Sequence, residues 1–241
     1  VDVATVVAIG RKVKFPACEV LFVGDSKTAP EFLRINGGEG HCIVSGTATA
    51  GVRGTATAGD SGIATAGVRG TATAGDSGTA TAGDSGIATA GVKGTATAGD
   101  SGIATAGYSG TATAGDRGTA TAGDRGTATA GDSGIATAGV RATAGVRATA
   151  GDRGTATAGD SGIATAGYRG TATAGDSGIA TAGVRGTATA GYGGVIAIQY
   201  WNGKRYKTKI AHVKDEDGDG ELEPNTPYRL DDGGNFVKVA R

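Results

Sequence analysis

Between Gly46 and Gly193 small apolar and polar residues alternate with a fixed beat, G-[T/I]-A-T-A-G-x-x, unit after unit. Within a unit, Thr or Ile, Ala, Thr and Ala follow one another with period two, the spacing of a strand that buries one face. Alanine alone suggests a helix. Two glycines in every eight residues and a β-branched residue at every second strand position oppose it. The flanking glycines, with a polar or turn-tolerant pair between units, are corner chemistry. Each unit is therefore predicted to be one short strand and one corner.

A fixed short period is the signature of a repeat architecture. Twelve full units run from Gly46 to Arg141, two six-residue units cover 142–147 and 148–153, and five full units run from Gly154 to Gly193. A strand this short buries nothing alone, but stacked on its neighbours it gains a backbone ladder and a shared core. The pattern predicts an all-β fold: a β-solenoid with two units per coil, two flat parallel sheets back to back, and rungs about 4.7–4.9 Å apart. Its roughly nine to ten coils make a rod about 45 Å long at that spacing. Each short unit lacks the leading Gly-Thr, and removing two residues keeps every later side chain on its face. Two short units in succession are expected to form one narrower coil of twelve residues.

Two orientations compete. With Ala inward the core is a thin layer of methyl groups. With Thr and Ile inward, every buried hydroxyl needs a partner, at a cost of about 1–3 kcal/mol without one. Ala-in is favoured, and Ile at the first Thr position is the evidence against it. Numbered from Gly46, Ile63 falls in an odd unit, whereas Ile87, Ile103, Ile135, Ile163 and Ile179 fall in even units. If odd units form one sheet, that face carries a nearly unbroken ladder: Thr47/Thr49, Thr79/Thr81, Thr95/Thr97, Thr111/Thr113, Thr127/Thr129, Thr155/Thr157, Thr171/Thr173 and Thr187/Thr189. Duplication of a sixteen-residue block gives the same ordering without any function.

The T-x-T rungs resemble those of insect antifreeze proteins. The octapeptide period and the recurring T-A-G are similar to bacterial ice nucleation proteins, whose Ser-Thr-Gln-Thr is replaced here by a segment with Ala at its centre. Units such as GTATAGDS and GTATAGYR also resemble uncharacterised GTATAG-repeat proteins of bacteria and phages, a likeness that implies fold and no activity. The resemblance covers Gly46–Gly193 only. It implies an ice-binding protein whose partner is ice or ordered water, acting outside the cell, with the Thr ladder as its site. The competing reading is a structural rod, a spacer of a phage or cell-surface assembly, or an interaction scaffold, with self-association through a flat face.

Composition narrows the rest. Glycine is 48 of 241 residues and aromatics are 5%, which rules out a conventional core in the middle of the chain. Basic and acidic residues balance at 23 each, so no basic footprint for nucleic acid exists. The charges of the repeats all fall at corners, where they read as solvated groups with weak cross-rung pairing. Residues 1–45 are read as an N-terminal cap, with strands in VDVATVVAIG and CEVLFVG and a helical turn after Pro30; solenoids need caps because an open edge pairs with other chains. No signal peptide and no run of transmembrane length is seen, no membrane partner is expected, and the compartment stays open.

Cys18 and Cys42 both fall in this cap, and a disulfide and two free thiols remain alternatives; their spacing fits no zinc pattern. Residues 194–241 are read as a C-terminal β cap: a hairpin turning at Asn202-Gly203 and a final strand at NFVKVAR. Its loop carries Asp215, Asp217 and Asp219 before Gly220, the start of a calcium loop. Position twelve is Thr226 rather than Glu, so an acidic turn is the expected role and calcium a weak candidate. No nucleophile–base pair, phosphate loop or cofactor motif appears, and neither an enzyme nor a cofactor is expected.

Overall fold

The computed structural model describes residues 7–9, 12–14, 41–44, 46–139 and 147–240. Each unit there is a three- or four-residue strand, and alternate strands join opposite sheets of a β-solenoid. The first sheet stacks the repeat strands that begin at Thr47, Ile63, Thr79, Thr95, Thr111, Thr127, Arg147, Ile163 and Ile179. The second stacks those that begin at Thr55, Thr71, Ile87, Ile103, Thr119, Ile135, Thr155, Thr171 and Thr187. All these neighbours are parallel and in register, as in Thr95↔Thr111, Ala96↔Ala112, Thr97↔Thr113 and Ala98↔Ala114.

The burial alternation decides the orientation. The inward alanines of the repeat strands are at most 8% exposed, and no polar side chain is buried among the described residues. Thr and Ile stand outward, as in the exposed–buried alternation of Ile103–Ala106. Ala-in avoids an unpaired hydroxyl in every rung, and methyl groups let the two sheets approach closely.

The short units do not form a twelve-residue coil. Thr127 pairs with Arg147 and Ile135 with Thr155, so both sheets step across this region by twenty residues instead of sixteen. Arg147 takes the place of a first-position Thr. Among the described residues of this stretch one rung strand, Arg147–Ala150, joins the first sheet, and the sheet assignment of every later unit is exchanged.

The corners are four-residue turns closed by the second glycine, whose N–H donates to the carbonyl of the first (Gly102 to Gly99, 3.1 Å). The left-handed position falls between the glycines, on residues such as Ser101 (φ 56°) and Arg117 (φ 57°). Close approach, rather than backbone handedness, demands most corner glycines. A Cβ on Gly102 would lie 2.8 Å from the Ala98 methyl and 3.0 Å from the Gly86 carbonyl one rung below.

Beyond Gly194 the pattern changes to large side chains and antiparallel pairing. Val195–Trp201 continues the first sheet beside Ile179–Ala182 and pairs with Tyr206–His212 along its whole length, the expected hairpin. Tyr228–Leu230 and Phe236–Lys238 close the second sheet, Tyr228 pairing with Ala188. Ile196, Ile198, Val213, Leu222 and Tyr228 are buried over the last rungs, with Phe236 partly buried and edge-on to Tyr228. At the other end His41–Val44 pairs with Thr55–Ala58, and Val7–Ile9 with Lys12–Lys14. The strand predicted in CEVLFVG, the turn after Pro30 and the Cys18–Cys42 alternative lie outside the described residues.

Candidate functional site

Two outward columns run along each sheet. Period-two alternation places both β-branched residues of a strand on the same face, about 6.7 Å apart along the strand. In-register pairing then stacks them every 4.7–4.9 Å or so up the rod. β-Branching limits their rotamers, so the grid is ordered before anything binds to it.

The sixteen threonines predicted to form one ladder are divided between the two faces. Thr47, Thr49, Thr79, Thr81, Thr95, Thr97, Thr111, Thr113, Thr127 and Thr129 stand on the first sheet. Thr155, Thr157, Thr171, Thr173, Thr187 and Thr189 stand on the second. The exchange at Arg147 causes the division. Ile63 separates Thr47 from Thr79, which leaves Thr79 to Thr129 as four consecutive T-A-T rungs without interruption. The second face has a three-rung block, Thr155 to Thr189.

Numbering odd units alone passed over the second column. Thr49, Thr65, Thr81, Thr97, Thr113, Thr129, Thr149, Thr165 and Thr181 form an unbroken line on the first sheet, and Thr57 to Thr189 form its counterpart on the second. The signal was present in the sequence: the third strand position is Thr in every unit, while the first varies between Thr, Ile and Arg. The first column is apolar in places, with Ile87, Ile103 and Ile135 exposed on the second sheet and Ile63 and Ile179 on the first. Arg147 is the one charged side chain among the described repeat strands.

Corner charges do more than face solvent. The Asp100 carboxylate accepts the backbone N–H of Asp116 at 3.0 Å, and Asp116 accepts that of Asp132 at 2.9 Å. The same link runs from Asp84 to Asp100 and from Asp152 to Tyr168. Each of these Asp carboxylates therefore caps the next rung's corner while staying exposed, so the link between rungs is a hydrogen bond to the backbone. Asp occurs only at the first corner position, where this bond is within reach, and that bias was legible in the chain.

The acidic loop turns on itself. Asp215 Oδ1 accepts the N–H groups of Asp217 and Asp219 at 3.0 and 2.9 Å, an arrangement that spends this oxygen on the loop backbone. Among the described residues no group of three His, Cys, Asp or Glu is placed to hold a metal ion, and no helix is long and apolar enough to cross a membrane. Compared with known proteins, the chain matches no family model, no curated protein and no solved structure.

Proposed function

We propose that this chain binds ice, and that the block Thr79/Thr81 to Thr127/Thr129 is its principal contact surface. The observation that carries the reading is the in-register outward stacking of four uninterrupted T-A-T rungs. A grid with spacings of about 6.7 and 4.7 Å matches the repeat of ordered water closely enough to anchor it. Each Thr offers a methyl group that water cages and a hydroxyl that holds the cage. The rigidity of the stack removes most of the ordering cost of association. The resemblance of the T-x-T rungs to antifreeze proteins points the same way, and the surface asks for no enzyme chemistry or cofactor.

The test is thermal hysteresis and ice-recrystallisation inhibition on the purified chain and on two double variants. Thr95→Tyr/Thr111→Tyr puts two bulky rings in the middle of the block and is expected to abolish activity with the fold retained. Thr155→Tyr/Thr171→Tyr makes the same change on the opposite sheet and is expected to leave most of it. Activity that survives the first variant overturns the assignment.

The second reading is a rod or spacer that works by length, or a scaffold that associates through a flat face. The exposed Ile87 and Ile103 on neighbouring rungs favour it, since an adjacent apolar pair suits contact with another protein face better than contact with water. Under this reading the number of repeats matters, and the Tyr variants change nothing in the ice assays.

A further inference from the structure

The strand Val195–Trp201 has seven residues where a rung has four, so its last residues overhang the edge of the rod. Its partner Tyr206–His212 overhangs with it, because the two pair from Val195↔His212 to Trp201↔Tyr206. The overhang forms a wall beside the first sheet. Between this wall and the corner residues Tyr168 and Val184 lies an open groove of about 370 Å³, floored by Thr165 and Thr181 and flanked by Gln199 and Tyr206. That volume is at the small end of small-molecule sites.

Its lining is unlike the rest of the rod. Two tyrosine rings stand at its sides, Tyr168 at 38% and Tyr206 at 66% exposure. Tyr168 is held from both directions: the Arg185 guanidinium donates to its hydroxyl at 3.5 Å, and Arg169 lies 5.3 Å from its ring centroid. Tyr206 packs edge-on to Trp201 with centroids 4.9 Å apart. Each of the two rings thus rests against a neighbouring side chain. Between them are two hydroxyls, an amide that both donates and accepts, and the Asp152 carboxylate, an acceptor.

Aromatic faces that cover apolar C–H surfaces, with hydroxyl, amide and carboxylate groups around them, are complementary to a pyranose ring. The geometry points to this groove as a binding site for a neutral oligosaccharide. Asp152 is the one charged residue in the lining, and Arg169 and Arg185 beside Tyr168 offset it, so nothing there selects a charged sugar, and the room suits one or two rings rather than a long chain. Neither sheet's central Thr block takes part, so the site stands or falls apart from ice binding.

The test is isothermal titration of the whole chain with cellotetraose, chitotetraose and maltotetraose, and with oligogalacturonate as an acidic control. At least one neutral sugar is expected to bind. Tyr206→Ala is expected to weaken that binding at least tenfold and Tyr206→Phe to retain it, since stacking needs the ring and not the hydroxyl. Tyr192→Ala, an exposed tyrosine at the other column of corners, is expected to leave it unchanged. Circular dichroism checks that the variants fold. The proposal is overturned if no neutral sugar binds, if only oligogalacturonate binds, or if Tyr206→Ala binds as the parent does.

Discussion

The rod and its C-terminal cap solve the same problem with opposite materials. In the rod the buried side chains are alanines, and the sheets are joined by register and by corners too tight for a Cβ. In the cap Ile196, Ile198 and Val213 are the largest fully buried side chains among the described residues, and pairing turns antiparallel. The rod spreads a thin apolar layer over many nearly identical rungs, each supported by its neighbours. The cap concentrates apolar volume at one end, where the last rung has no further coil to cover it. The difference suggests that the rod is limited by space and the cap by contact area. A repeat architecture needs both, because the cheapest repeating unit cannot terminate itself.

The largest effects should come from exchanging these materials. Ile196→Ala removes fully buried volume from the cap and is expected to cost about 4 kcal/mol. Ala104→Leu forces volume into the mid-rod layer and is expected to cost about 3 kcal/mol through overpacking. The converse changes should be mild: Ile196→Leu conserves volume, and Ala104→Gly removes a single methyl group, each at roughly 1 kcal/mol. Urea unfolding separates the regions, since the one tryptophan, Trp201, reports the cap while far-UV circular dichroism is dominated by the rod. Equal costs for Ile196→Ala and Ile196→Leu would break the comparison.

A smaller effect sharpens the account of the corners. Asp116→Ala removes the acceptor for the Asp132 N–H and is expected to cost about 1 kcal/mol. Asp116→Asn keeps an oxygen at the same place and should recover more than half of it. If both variants cost the same, the carboxylate acts through charge, and the hydrogen bond is incidental. The measurement is the circular dichroism midpoint, because the change lies within the rod.

How much of this was legible follows from the range of the interactions concerned. Alternation within T-A-T-A is local, so strand and eight-residue period could be read from the chain, as could the hairpin around Asn202-Gly203, whereas the inward face was only favoured and is decided by the burial of the alanines. The sheet assignment after Arg141 could not, because unit lengths do not say how many strands a shortened stretch contributes. Pairing of Thr127 with Arg147 settles it, and that contact spans twenty residues. The same limit explains the site: Thr155 to Thr189 changed faces without any change in their own units. The Asp ladder is also a contact between rungs, yet the restriction of Asp to one corner position was a local trace of it. The groove beside Tyr206 had no such trace, since it depends on how far a hairpin overhangs a rod edge.

The smallest expected effect concerns acid, and it falls on the cap. Lys214 and Glu223 form an ion pair at 2.7 Å between partly exposed side chains. The Lys214 hydrogen bond, and then its charge, holds the Glu223 carboxyl below its ordinary range. Asp231 is lowered chiefly by the Asn235 backbone N–H, which it accepts at 2.8 Å. A lowered carboxyl contributes stability that is complete above its unfolded value and is lost as pH falls through its folded value. Lys214 is raised, first by the hydrogen bond to Glu223, so its contribution is complete below the ordinary lysine range and fades only as pH rises through the folded value. Both contributions are therefore whole near neutral pH, and the carboxyl part is lost only as pH falls below the ordinary carboxylate range. Solvent screens a pair this exposed, so the thermal midpoint reported by Trp201 should fall by only roughly 1–2 °C more in the parent than in Glu223→Gln between pH 6 and pH 3. A parent and variant that lose stability in parallel would show that the pair adds nothing to the cap, leaving its buried side chains to hold the end of the rod alone.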